Sequence, residues 1–174
     1  MIEIVPMDKD NAYDYATVSS KCWLESYKNI IDLNYLESIN TEEYLTNQKE
    51  KLIGLLNDGS NRYLLKVDNK YVGIFRIRPT KYSDYSNCIE LGALYILDEV
   101  KGMGYGKYIF NYVLDKVKYK YNRLIIGCLE DNPTNDFYKH MGCVFQFKNP
   151  LLINGENYNE NVYIYEIGDK DEII

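Results

Sequence analysis

Histidine is nearly absent from this chain: His140 is the only one. A catalytic arrangement built on several histidines therefore has no material. His140 follows Tyr138 and Lys139 on a segment that reads as a helix, where a surface position is expected rather than a catalytic base. Cysteine is sparse too. Cys22, Cys88, Cys128 and Cys143 include no CxxC pair, so no zinc site has ligands at usable spacing and no metal is expected. Cys88, Cys128 and Cys143 stand in apolar, strand-like surroundings that suit reduced core cysteines, and a reducing cytoplasm is the expected compartment. No apolar run approaches the ~18 residues of a membrane span. The opening MIEIVP has neither a basic region nor a signal-peptide core. Lys and Arg number 20 against 26 Asp and Glu, a net charge of −6, and the basic residues form no block. This argues against nucleic acid as a partner. An acidic surface tilts toward cationic small molecules.

What is present fits one domain. The 174 residues are 46% apolar and 26% charged. A chain of this size buries roughly two-thirds of its unfolded surface and needs no disulfide to fold. No repeat, low-complexity stretch or linker divides it, so residues 1–174 are expected to form a single domain.

The patterning predicts the order β-α-α-β-β-β-α-β-α-β-β. Residues 2–5 read as a first strand. Residues 8–27 carry Tyr15, Val18, Cys22 and Tyr27 at helical spacing, with a cap expected at Asp8 or Asp10. Residues 33–38 form a connector or short helical turn. Thr41 caps a second helix, with Leu45, Leu52, Leu55 and Leu56 on its apolar side. Residues 62–67 and 71–78 are strands around Asp68, Asn69 and Lys70. A polar, tyrosine-bearing loop covers 79–87, and an apolar strand covers 88–97. A helix over 107–121 turns Ile109, Val113 and Val117 inward. Residues 123–128 are continuously apolar, as in a strand covered on both faces. A short helix over 132–141 precedes strands at 143–147 and 161–167. The expected architecture is α/β (α+β), a mixed, mainly antiparallel sheet of about seven strands flanked by helices.

The chemistry concentrates in residues 90–142. A strand runs into Lys101, Gly102, Met103, Gly104, Tyr105, Gly106 and Lys107, and then into a helix. Three alternating glycines let backbone amides approach a ligand without obstruction from Cβ. The free N–H groups and positive dipole end of the helix complete an anion site suited to a pyrophosphate. Other phosphate loops fit worse. A Walker loop fails at Lys101 and Tyr108, and a dinucleotide fingerprint fails at Lys107. A glycine-rich turn without a ligand is the plainer alternative.

The run Lys101–Gly-Met-Gly-Tyr-Gly106 resembles the acyl-CoA loop of the GNAT superfamily of N-acetyltransferases, Arg/Gln-x-x-Gly-x-Gly/Ala. Downstream, Asn132-Pro-Thr-Asn-Asp-Phe-Tyr-Lys-His-Met-Gly142 is similar to the family's Asn…Phe-Tyr-x-x-x-Gly segment. Trp23-Leu-Glu-Ser-Tyr27, followed by Tyr35 and Leu36, resembles the acceptor-side helix and loop of one bacterial branch. The three matches occur in family order across essentially the whole chain.

The resemblance implies a GNAT-like fold, acetyl-CoA as co-substrate, and direct attack of an amine on the thioester without a covalent enzyme intermediate. Backbone amides of residues 101–107 would hold the pyrophosphate. Leu94, Tyr95 and Ile96 would pair with the pantetheine arm, and their strand would splay from the 123–128 strand. Asn132 would bond the pantetheine or nearby backbone, and Phe137 would pack beside the CoA arm. Tyr138 would protonate the leaving thiolate, for which a phenol, ordinarily of pKa about 10, is well matched. Its alternative is a packed helix tyrosine. Glu90 corresponds to the base of several members. It could instead be a solvated strand-end residue, with a water chain as the base. Lys101 departs from the family's Arg or Gln and loses the planar fork. Trp23, Tyr27, Tyr35, Tyr82 and Tyr85 are candidates to line the acceptor pocket, where an aromatic group can hold a cationic amine. The acceptor is expected to be a small-molecule or peptide amine, and homodimers are common in the family. A catalytically silent acyl-CoA sensor is the alternative function. A nucleotide-dependent kinase lacks both the Walker spacing and a clear set of magnesium carboxylates.

Overall fold

The computed structural model describes residues 1–82, 84–85 and 87–168. Two residues of the expected 79–87 loop, 83 and 86, lie outside the described set. Strand β1 (Ile2–Pro6) pairs antiparallel with β2 (Asn61–Val67), which turns into β3 (Lys70–Pro79). The turn residues Asp68 and Asn69 both have positive φ, 47° and 67°, as a tight two-residue hairpin demands. Helices α1 (Ala12–Tyr27), α2 (Leu33–Ser38) and α3 (Glu42–Gly54) lie between β1 and β2 in sequence.

Helix α1 starts later than its periodicity suggests. The Asp8 carboxylate accepts the amides of Asp10 and Asn11 at 2.8 and 3.1 Å, and Asn11 Oδ1 accepts the Asp8 amide. These bonds close a turn before the helix, so neither Asp8 nor Asp10 caps it. Thr41 caps α3 as expected, with Oγ1 accepting the Tyr44 amide. Leu45 is buried, but Leu55 and Leu56 lie past the end of α3 and are exposed.

The second half contains β4 (Cys88–Ile96), a single 3-10 turn (Asp98–Val100), α4 (Tyr105–Val117), β5 (Arg123–Leu129), α5 (Thr134–His140), β6 (Val144–Ile153) and β7 (Glu156–Glu166). Ile109, Val113 and Val117 are buried on α4, as their spacing predicts. The final hairpin is much longer than expected. Its strands run up to a two-residue turn at Asn154 and Gly155, with φ of 50° and 81°.

The strands form one seven-stranded mixed sheet in the order β1-β2-β3-β4-β5-β7-β6, flanked by the five helices. β5 pairs antiparallel with β7, and β7 with β6. β4 and β5 are parallel, as a crossover through a helix permits. Their register runs from Cys88 opposite Arg123 to Leu91 opposite Ile126. Gly92 and Gly127 come next.

The chain divides into two compact units. The first is Met1–Ile77 with Ala93–Gly106, and the second is Arg78–Gly92 with Lys107–Ile174. Cys22, Leu36, Leu64, Leu65, Ile74 and Phe75 belong to the core of the first. Ile109, Phe110, Leu124, Ile125, Ile126 and Tyr163 belong to the core of the second. All four cysteines are free and buried.

Candidate active site

In the first unit, residues 101–104 form an exposed loop leading into α4. Gly102 and Gly104 have φ of +78° and +87°, a conformation that side-chain-bearing residues rarely adopt. A Cβ at either glycine would meet nothing within 4 Å, so backbone conformation rather than crowding demands them. The loop is thus free of side-chain bulk at two glycines and sits at the amide-rich end of a 13-residue helix, features that fit a pyrophosphate. The Lys101 ammonium pairs with Asp98, and Met103 is exposed. Tyr105 and Gly106 are half-buried in the first turn of α4, and Lys107, which belongs to the second unit, is exposed.

Leu94, Tyr95 and Ile96 occupy the end of β4, all half-buried. Tyr95 joins the aromatic residues of α1. The Tyr27 and Tyr95 hydroxyls are 2.9 Å apart, and the Trp23 ring centroid lies 5.1 Å from Tyr27 and 6.3 Å from Tyr95. One expected cofactor residue and two expected acceptor residues therefore form one cluster. Tyr35, on α2, makes no ring contact with them among the described residues.

In the second unit, Glu90 is not the solvated strand-end residue that was one sequence expectation. It is 3% exposed. Its Oε1 accepts from Arg78 Nη2 at 2.5 Å and its Oε2 from the Lys81 amide at 3.3 Å. Alternation along the strands places Glu90, Ile125, Gly127, Glu160 and Val162 on one sheet face. Tyr82 also packs on this side of the unit, against Phe147 and Tyr85.

Glu160 is a functional candidate that the sequence reading missed. Its Oε1 accepts from Lys81 Nζ at 2.7 Å, the Tyr82 hydroxyl at 2.9 Å and Asn149 Nδ2 at 2.9 Å. Burial opposes its charge, but the bonds from Lys81, Asn149 and Tyr82 prevail and hold the carboxyl below its ordinary range. Burial and the Glu160 carboxylate together push the Tyr82 phenol far above its usual value, so Tyr82 remains a donor.

The opposite face carries Ile126 and, across from it, Tyr163. Helix α5 packs there. Asn135 Nδ2 donates to the carbonyls of Leu129, Glu130 and Asn132, and its Oδ1 accepts from Asn161 Nδ2 and the Tyr163 hydroxyl. Asn132 is buried, and its Oδ1 accepts the Thr134 amide at 2.9 Å, shaping the entry to α5. Tyr138 is buried against Phe137 and Tyr163, with ring centroids at 5.3 and 6.3 Å. Phe137 also meets Phe110. Tyr138 and the carboxylates of Glu90 and Glu160 therefore lie on opposite faces of the sheet. His140 is exposed. Among the described residues, no group of three His, Cys, Asp or Glu side chains converges on a metal position, and no helix is long and apolar enough to cross a membrane.

The model of the acetyltransferase (GNAT) family matches residues 24–143. No curated protein matches the sequence significantly. Among solved structures, the chain is similar to the PaiA N-acetyltransferase of Thermoplasma acidophilum in complex with coenzyme A. They share 18% identity at a TM-score of 0.67, over 92% of this chain and 98% of that one. An N-acetyltransferase from Staphylococcus aureus Mu50 gives a TM-score of 0.72 at 9% identity, over 97% and 99%. A GCN5-related N-acetyltransferase from Rhodopseudomonas palustris gives 0.73 at 14%, over 94% of each chain. At these identities the likeness to the solved structures concerns the fold.

Proposed function

The chain belongs to the GNAT acetyltransferase family, and from this we propose that it is an acetyl-CoA-dependent N-acetyltransferase acting on a primary amine of a small molecule or peptide. The observation that carries the reading lies in the second unit. Within that unit β4 and β5 pair in parallel from Cys88 and Arg123 to Leu91 and Ile126, with a buried tyrosine on one face and a buried carboxylate on the other. An amine attacking a thioester needs a proton acceptor on its own side and a proton donor for the departing sulfur. Glu90 and Tyr138 have the chemistry for those two roles and occupy opposite faces. The same fold in the Thermoplasma acidophilum protein holds coenzyme A, which supports acetyl-CoA as the co-substrate.

Acetyl-CoA supplies the acetyl group as a thioester. Backbone amides of residues 101–107 bind its pyrophosphate. In the first unit Leu94, Tyr95 and Ile96 offer backbone to the pantetheine arm, and in the second Asn132 and Phe137 are the residues assigned to it. The residues assigned to the acceptor are Trp23, Tyr27 and Tyr35 in the first unit and Tyr82 in the second. Glu90 takes the ammonium proton, Arg78 and the Lys81 amide fix its carboxylate, and the Tyr138 hydroxyl protonates the leaving thiolate.

Tyr138→Phe tests the assignment of the acid. The turnover number should fall about 10²- to 10⁴-fold while the affinity for acetyl-CoA is nearly kept. An unchanged turnover number removes Tyr138 from that role. Glu90→Gln should change the shape of the pH–rate profile, and an identical profile transfers the base role elsewhere.

A further inference from the structure

The mechanism above leaves the half-buried carboxylate of Glu160 unused. Glu160 lies on the Glu90 face of the sheet, and its side chain is 14% exposed. All three hydrogen bonds it accepts fall on Oε1, and among the described residues Oε2 accepts none. Gly127 shows where Oε2 points. A Cβ built at Gly127 would stand 2.4 Å from it, so the carboxylate lies directly on the backbone of β5. Only glycine admits that approach. Gly127 is also the first β5 residue beyond the last pair with β4. Glu90 differs, because Arg78 takes one of its oxygens and the Lys81 amide the other.

We propose that Glu160 is an acceptor-binding residue of the second unit whose Oε2 receives the ammonium of an aliphatic amine beside Gly127. The assignment rests on the transferase reading and narrows its acceptor class. Tyr82 and Asn149 pin Oε1 and thereby aim Oε2, while the Lys81 ammonium draws on the same carboxylate. An ammonium N–H donates to an ionised carboxylate oxygen in a strong, charge-assisted bond. An arylamine, uncharged at neutral pH, forms a weaker one. Discrimination between the two classes follows from this single oxygen. Glu160 remains ionised in this role, and the proton of the attacking ammonium leaves through Glu90.

The test uses the full-length protein with benzylamine and aniline as paired acceptors, and thiol release at saturating acetyl-CoA as the readout. Wild-type protein should prefer benzylamine. Glu160→Gln should raise the KM for benzylamine about 10- to 100-fold, leave KM for aniline and the affinity for acetyl-CoA unchanged, and keep kcat within about threefold. A second variant guards against misfolding of the first. Lys81→Met removes the cation that competes for Glu160 while Tyr82 and Asn149 still hold Oε1, so KM for benzylamine should fall severalfold. A benzylamine KM unmoved in folded Glu160→Gln, a KM that does not fall in Lys81→Met, or acetyl-CoA binding with no benzylamine turnover each overturns the assignment. Absence of acetyl-CoA binding by the wild-type protein sinks the transferase reading instead.

Discussion

Asn135 uses both ends of its amide. Three carbonyls at the β5–α5 junction share its NH2 group, and two β7 side chains donate to its oxygen. Removal leaves several buried polar groups without partners, and each costs its desolvation penalty. Asn135→Ala should therefore destabilise the protein by roughly 3 kcal/mol, or about 6–12 °C in Tm for a chain of this size. Calorimetry of the variant checks this, and a loss below about 1 °C would contradict it. The same substitution loosens the seat of Tyr138 three residues later, so turnover should drop in the fraction that remains folded. Neither Asn135 nor Glu160 was legible in the sequence. Asn135 sits between Asn132 and Asp136, where one more polar residue looks like ordinary helix-entry chemistry. Its value comes from β7, 26 residues away, which no local pattern reveals. Glu160 fell outside the expected strand altogether.

The elements that bear the family motifs were the most legible. Loop 101–106, the helix behind it, and the 132–142 segment all formed where their residues predicted, to within a few positions. Glycine spacing and apolar periodicity are local signals, and local structure obeyed them. Gly104→Ala gives the loop a direct check. The φ of +87° disfavours a Cβ by about 1–2 kcal/mol, yet the surroundings are open. Affinity for acetyl-CoA should then weaken roughly tenfold with Tm nearly unchanged. Titration calorimetry reads the affinity, and an unaltered constant would free the loop from its assigned role. The final hairpin was misjudged for the opposite reason. Residues 156–161 read Glu-Asn-Tyr-Asn-Glu-Asn, too polar for a core strand. They pair all the same, because β6 is a sheet edge and much of the hairpin faces water. That edge also accommodates Pro150, which a central strand would exclude. The Asn154-Gly155 pair was the available signal, since it favours a two-residue turn and fixes the register that sets Glu160 opposite Asn149.

Across the whole molecule, burial governs the response to alkali. Burial pushes the thiols of Cys22, Cys128 and Cys143 from 9.0 up to about 12, and the Tyr15 phenol from 10.0 up to about 12. Each group holds its proton more tightly folded than unfolded. The stability so conferred is complete below the unfolded values and is lost as pH rises through the folded ones. Tm should thus hold to about pH 9 and decline between about pH 9 and pH 12. A Tm independent of pH across that window contradicts the burial of these groups. The fold and the family were readable because three motifs occur in one order. The acceptor side was not, because a chain with 19 tyrosines gives no single tyrosine distinction. The most direct measurement of the central claim is calorimetric titration of the purified protein with acetyl-CoA, with ATP as control. The account predicts micromolar binding of acetyl-CoA and none of ATP. Silence toward acetyl-CoA, or tight binding of ATP in its place, contradicts it.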